Sequence, residues 1–145
     1  MLHIDDATTA DVADLAARVT DEDAAELKAA GLDVSACLDV PAKALRLDGE
    51  LVCLFGVVTH PAMERGGIPW MLCTNTLARV PRRAMALISD QVVSAWRESF
   101  DHLSNLIHSR NKRAISFVRW LGFTVSDTPC GPGQEFYSFE WSRHV

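Results

Sequence analysis

The sequence predicts an α/β or α+β fold with a mixed sheet, and three observations predict it. Segments with helical periodicity alternate with short strand-like runs, so helices and strands share one core. The chain has 145 residues, 48% of them hydrophobic, enough for a single domain over 1–145 that buries roughly two-thirds of its unfolded-chain surface. No internal repeat, low-complexity tract or linker interrupts the pattern.

The first helix is predicted from ATTADVADLAARV, where Val12, Leu15, Ala16 and Val19 form one apolar stripe and Thr8 or Thr9 supplies the N-cap. TDEDAAELKAAG gives a second short helix. Thr20 caps it, Asp21, Glu22 and Asp23 suit its positive end, and Gly31 suits the left-handed position after its last turn. AKALRLDGELVCLFGVV reads as a hairpin because Asp48-Gly49 fits a type I′ turn. THPAMERGGIP is a loop by its punctuating residues.

WMLCTNT (70–76) is an apolar run ending in polar residues and reads as a central, doubly covered strand. A helix follows from Pro81, a residue favoured at a first helical position, with Met85, Ile88, Val92, Ala95 and Trp96 on its inner face. HLSNLIHS is a short strand, and NKRAISFVRWLG is a helix capped by Asn111 and stopped by Gly122. FTV and EFYSFEW are closing strands. Phe136, Tyr137, Phe139 and Trp141 predict a strongly aromatic, buried face on the last one.

Composition excludes several classes of function. The longest apolar run, LVCLFGVV, is far too short to cross a bilayer, and the opening MLHIDDATT lacks the charge and apolar stretch of a signal peptide. A soluble protein of a reducing cytoplasm is expected. Cys37, Cys53, Cys73 and Cys130 are scattered, with no C-x-x-C and no paired histidines, so buried free thiols are expected and no metal site. The net charge of −5 argues against general nucleic-acid binding. That charge is uneven: residues 1–50 hold twelve Asp/Glu against four Lys/Arg, and residues 79–119 hold eight Lys/Arg against three Asp/Glu. A local basic segment suits a compact anion such as a nucleotide phosphate.

The sharpest feature is TLARVPRRAMALISDQ (76–91), which places Arg82 and Arg83 at a helix start. That end already carries about half a positive charge from the peptide dipoles, so the two arginines are either solvated or built to meet an anion.

This element order, with two stretches, resembles the GCN5-related N-acetyltransferase (GNAT) fold, a mixed, mostly antiparallel sheet flanked by about four helices. NKRAISFVRWLGF is similar to the family's N-x-x-A-x-x-x-Y-x-x-x-G-F element through Asn111, Ala114, Gly122 and Phe123. The opening of the basic helix falls where the family has a [QR]-x-x-G-x-[GA] loop that holds the pyrophosphate of CoA. Arg79 fills its first position and Ala84 its last. The resemblance implies acetyl-CoA or CoA as cofactor, held by Arg79, Arg82, Arg83, Ala84 and Asn111, with the backbone of Leu72, Cys73 and Thr74 polarising the thioester. Two positions depart from the family. Arg82 stands where glycine would let phosphate approach the backbone, and Val118 stands where the family has a proton-donating tyrosine.

Within that fold, the sequence looks like the small internal virion proteins of podophages, through DEDAAELKAAGLD, WMLCTN, the helix from Asn111 and the ending GQEFYSFEW. That likeness implies a phage-encoded protein made in the host cytoplasm and packaged or used in assembly, with virion or host proteins as partners. The alternative is an active N-acetyltransferase acting on a protein or small amine. His108, at a strand end, is the candidate base; His60 and Glu64 are weaker ones, and Ser109 and Ser116 lack triad partners. Trp70, Trp96, Trp120 and Trp141 are expected in the core or at a docking surface.

Overall fold

A computed structural model describes residues 1–143. Strand β1 (Leu2–Asp6) leads into helices α1 (Thr9–Arg18) and α2 (Asp21–Ala29) and a 3-10 turn at Val34–Asp39. Then come β2 (Lys43–Leu47), β3 (Glu50–Thr59), β4 (Gly66–Cys73) and a second 3-10 turn at Asn75–Arg79. Helix α3 (Arg82–Ser99), β5 (His102–His108), α4 (Lys112–Trp120), β6 (Thr124–Val125), a 3-10 turn at Pro132–Gln134 and β7 (Phe136–Ser142) complete the described chain. The strands hydrogen-bond in the order β1-β2-β3-β4-β5-β7-β6, a mixed and mostly antiparallel sheet as the sequence predicts.

The described residues form two compact units: Met1–Val58 with Trp70–Ala84, and Thr59–Pro69 with the chain from Met85 on. In the first unit, Val12, Leu15, Val34, Cys37, Ala44, Leu51, Leu54 and Leu72 make the core, with Leu27 and Trp70 packed on it. Thr8 caps α1 through a reciprocal capping box with Asp11, and Thr20 caps α2. The hairpin turn has both Asp48 and Gly49 at positive φ, 51° and 87°, as a type I′ turn requires. Strand β1 escapes sequence patterning because it is an edge strand with almost no buried face; Asp5 and Asp6 reach Arg46 and Lys43 of β2 instead. Such charges also blunt an exposed edge.

In the second unit, Leu103, Ile107, Ile115, Leu121, Phe123, Phe136 and Phe139 are buried. Asn111 caps α4 through the Ala114 N–H at 3.3 Å, and Gly122 follows the helix at φ +99°. On α3 Met85 is buried and Ile88, Val92 and Trp96 are half-buried as expected, while Ala95 is exposed and Val93 is buried in its place. The aromatic face expected on the last strand is corrected in one member. Tyr137, Phe139 and Trp141 alternate onto one face, Phe139 buried and the other two half-buried, whereas Phe136 is buried on the opposite face.

The central strand departs most from expectation. It starts at Gly66, inside the stretch read as loop, and ends at Cys73, short of the expected Thr76. Glycine and proline signal a break by propensity, yet here they serve the strand. Gly66 and Gly67 pair parallel with His102 and Leu103 of β5. Pro69 has no N–H to continue that ladder, and its carbonyl is taken by the Asn105 side-chain amide at 2.8 Å. At the far end, Thr74 Oγ1 accepts the Thr76 N–H at 3.2 Å and turns the chain into the 3-10 segment.

Candidate functional site

Seven of the nine expected site residues lie on one continuous stretch of the first unit, the end of β4, the 3-10 turn and the start of α3; His108 and Asn111 belong to the second unit. Leu72, Cys73 and Thr74 are buried, at 9%, 3% and 0% exposure, so only their backbone can meet a ligand. Much of that backbone is in use. Thr74 N–H donates to the Val52 carbonyl at 2.8 Å, and its hydroxyl donates to the Leu51 carbonyl at 2.6 Å. Cys73 N–H donates to Asp23 Oδ2 at 2.7 Å, and its carbonyl accepts the Thr20 N–H at 2.9 Å.

Asp23 is a neighbour of the candidate site that sequence reasoning missed. It reads as one of three acids suited to the first turn of α2, and nothing in the spacing singles it out. In the fold its carboxyl is pushed above the ordinary range by burial, against the opposing pull of the Cys73 N–H and the Thr20 hydroxyl. The Cys73 thiol is pushed up by its contact with the Cys53 thiol, by burial and by the Asp23 charge. Cys37, Cys53 and Cys73 are buried free thiols, and Cys130 is half-buried and free.

The three arginines divide by partner. Arg79 is ion-paired with Glu50. Arg82 and Arg83 are exposed, and neither has an ion-pair partner among the described residues. They stand in the first turn of an 18-residue helix with no acidic residue there. Ala84 is half-buried beside buried Met85. The connection into this turn is held by Arg18, which donates to Asn75 Oδ1 at 2.8 Å, Thr76 Oγ1 at 2.7 Å and both carboxylate oxygens of Asp14 at 2.7 and 2.9 Å. Arg18 reads in the sequence only as a cation in a helix's last turn, and its span to Thr76 is a tertiary contact without local signal.

In the second unit, Asn111 Oδ1 serves the α4 cap. His108 Nδ1 accepts the Arg110 N–H at 3.2 Å, and its ring packs edge-on against Phe136 at 5.3 Å. His60 Nδ1 accepts the N–H groups of Ala62 and Met63, each at 3.0 Å, so this histidine shapes its own turn. Val118 is half-buried on α4 and has no proton to give. Trp120 is 58% exposed and is not a core residue. An open depression of about 390 Å³ lies between α2 and the 3-10 turn that follows it, lined by Val19, Leu27, Leu32 and Val34 among others and by none of the nine expected residues. Among the described residues no group of three or more His, Cys, Asp or Glu is arranged to hold a metal, and no helix is long and apolar enough to cross a membrane.

The strand order, with a basic helix start after the central strand, defines a mixed α/β protein. Solved structures identify that fold as GNAT. Ard1 from Thermoplasma volcanium superposes with a TM-score of 0.70 at 14% identity, over 97% of this chain and 97% of that one. The ribosomal-protein-S18-alanine N-acetyltransferase from Escherichia coli gives 0.67 at 11% identity, over 100% and 96%. An acetyltransferase from Bacillus subtilis, solved in complex with CoA, gives 0.66 at 8% identity, over 98% and 99%. No protein-family model and no curated protein matches the sequence.

Proposed function

We propose that this chain is a GNAT-fold protein with a degenerate acetyl-CoA site, which binds the cofactor's phosphates at the start of α3 and acts through binding and not turnover. The observation that carries this reading is the partition of the arginines. Arg79 is held by Glu50, whereas Arg82 and Arg83 stand exposed in the first turn of α3 with no ion-pair partner among the described residues. First-turn N–H groups have no partner within their own helix, and guanidinium forks match phosphate oxygens. The arginine side chains take the place of the close backbone approach that a glycine at position 82 would permit. Leu72, Cys73 and Thr74 form the wall against which an acyl group would lie.

Degeneracy is argued from the chemistry of the same residues. Amide formation needs a polarised carbonyl, a deprotonated amine in line with it and a proton for the leaving thiolate. Val118 supplies no proton. His108 Nδ1 is engaged with Arg110 N–H. Loss of acid–base help slows such a reaction roughly 10²–10⁴-fold. An interaction or assembly role, in a phage particle as the sequence resemblance implies, follows from keeping the site's position and charge without its chemistry; stoichiometric recovery in purified particles tests it, and absence from them refutes it. The second reading, a slow N-acetyltransferase, is favoured by the fold neighbours, which include named N-acetyltransferases.

Calorimetric titration of acetyl-CoA and CoA tests the binding claim. Micromolar binding that disappears in the Arg82→Glu/Arg83→Glu variant is expected. Absence of binding at millimolar ligand would show that the fold is kept for its surface alone.

A further inference from the structure

Successive N–H groups along a strand point to opposite edges. Thr74 N–H goes to Val52 of β3, so of Leu72, Cys73 and Thr74 only Cys73 directs its N–H to the other edge of β4. That edge is not bare. The α1–α2 linker forms an isolated antiparallel bridge, Val19 to Thr74, and the Thr20 N–H closes on the Cys73 carbonyl at 2.9 Å. The Cys73 N–H, beside that carbonyl, ends on Asp23 Oδ2 at 2.7 Å.

We propose that Asp23 is an internal plug: its carboxylate occupies the Cys73 N–H, the one donor among Leu72, Cys73 and Thr74 that faces that edge, so an acyl-CoA can use Cys73 N–H only by displacing it. The inference rests on the acyl-CoA reading above and adds regulation of that site. An ionised carboxylate is a far stronger acceptor than a thioester carbonyl. It is also held in place from its own side. Thr20 Oγ1 accepts the Asp23 N–H at 3.3 Å, which fixes Asp23 in the capped first turn of α2. Two hydrogen bonds therefore fasten that turn to the strand end, Thr20 N–H to Cys73 carbonyl and Cys73 N–H to Asp23. An acyl ligand competes with a pre-organised, charged, intramolecular acceptor and loses.

The plug makes a specific demand on binding. Free CoA has no carbonyl at its thiol end, so it gains nothing from Cys73 N–H whether or not Asp23 is there. Acetyl-CoA gains only when the donor is released. In the native chain the two ligands should bind alike, and in Asp23→Ala acetyl-CoA alone should tighten, by about fivefold to tenfold, the worth of one neutral hydrogen bond.

The experiment is calorimetric titration of both ligands into the native protein, Asp23→Ala and Asp23→Asn, with circular dichroism of each. Asp23→Asn keeps an acceptor of the same shape without the charge and should show a smaller gain in the same direction; it also serves if the alanine variant fails to fold. CoA binding unchanged with acetyl-CoA tightened in the variants supports the plug. CoA binding present, with no acetyl-specific gain in either variant, overturns the plug and leaves the cofactor reading standing. Binding of neither ligand to any of the three proteins overturns both.

Discussion

Asp11 and Arg46 meet side by side through two parallel hydrogen bonds, Nη1 to Oδ1 at 2.9 Å and Nη2 to Oδ2 at 2.8 Å, with both side chains at least four-fifths buried. The same Asp11 closes the α1 capping box by accepting the Thr8 N–H at 2.9 Å, so one carboxylate ties a helix start to a sheet strand. Removing it leaves the Arg46 guanidinium with Asp5 alone. Asp11→Ala should cost about 2 kcal/mol, the worth of charged hydrogen bonds, measured by urea unfolding, whereas Asp6→Ala, which loses an exposed pair with Lys43, should leave the midpoint unmoved. The pH dependence has a definite sign. The Arg46 guanidinium holds the Asp11 carboxyl below its ordinary value of 3.8. Its contribution is therefore complete above that value and lost as pH falls through the lower, folded one. A native protein and an Asp11→Asn variant that lose stability in parallel on acidification would refute this.

Gly122 is restricted by both backbone and neighbour. It sits at φ +99°, and a Cβ there would stand 2.9 Å from Arg97 Nη2. Arg97 is held in place: Nη2 donates to the Leu121 carbonyl at 2.6 Å, and the guanidinium lies over the Trp141 ring at 5.1 Å. Gly122→Ala should destabilise by more than about 1 kcal/mol from backbone strain alone. In an Arg97→Ala background the steric part should vanish and the penalty shrink, a coupling that a double-mutant cycle reads directly.

What the sequence made legible follows local rules. Thr8, Thr20 and Asn111 cap helices where cap chemistry put them, and Asp48-Gly49 turns the hairpin by its two positive φ angles. The features it hid depend on distant partners. Strand β1 has charges for a pattern and is explained only by Arg46 and Lys43 opposite it. Gly66, Gly67 and Pro69 are loop residues by propensity, and only β5 beside them makes a strand of that stretch. At the candidate site, the basic helix start was readable from Arg82 and Arg83. The Glu50 partner of Arg79 and the Asp23 acceptor on Cys73 were not, because each spans more than twenty residues and leaves no spacing signal.

Asp23 gives a pH signature opposite in sign to that of Asp11. Burial raises its carboxyl above 3.8, so between that value and the folded one the native state holds more protons than the unfolded chain. Stability therefore falls as pH rises through that window and levels off above it. Thr20 and Cys73 donors oppose the shift, and the Glu22 charge adds to it. Asp23→Asn should abolish this slope and leave the Asp11 slope intact. Urea midpoints measured for both proteins from pH 3 to pH 7 check it, and an unchanged profile in Asp23→Asn would show that Asp23 titrates as a solvated acid.

The arginine pair of α3 should separate stability from ligand binding. Two cations in a helix's first turn oppose the dipole, and each unfavourable placement is worth about 0.3–1 kcal/mol at low ionic strength. Arg82 and Arg83 have no acidic residue in that turn to offset them. The Arg82→Glu/Arg83→Glu variant should therefore melt at a higher temperature than the native protein when no anion is present, with the gain fading as salt screens it. With CoA added, the order should reverse, because only the native protein is stabilised by ligand. Thermal melts of both proteins, with and without CoA at low and moderate salt, read the four values needed. A native melt that CoA leaves unmoved would remove the phosphate role from these residues, and a variant less stable without ligand would mean that the arginines support the helix through contacts other than its dipole.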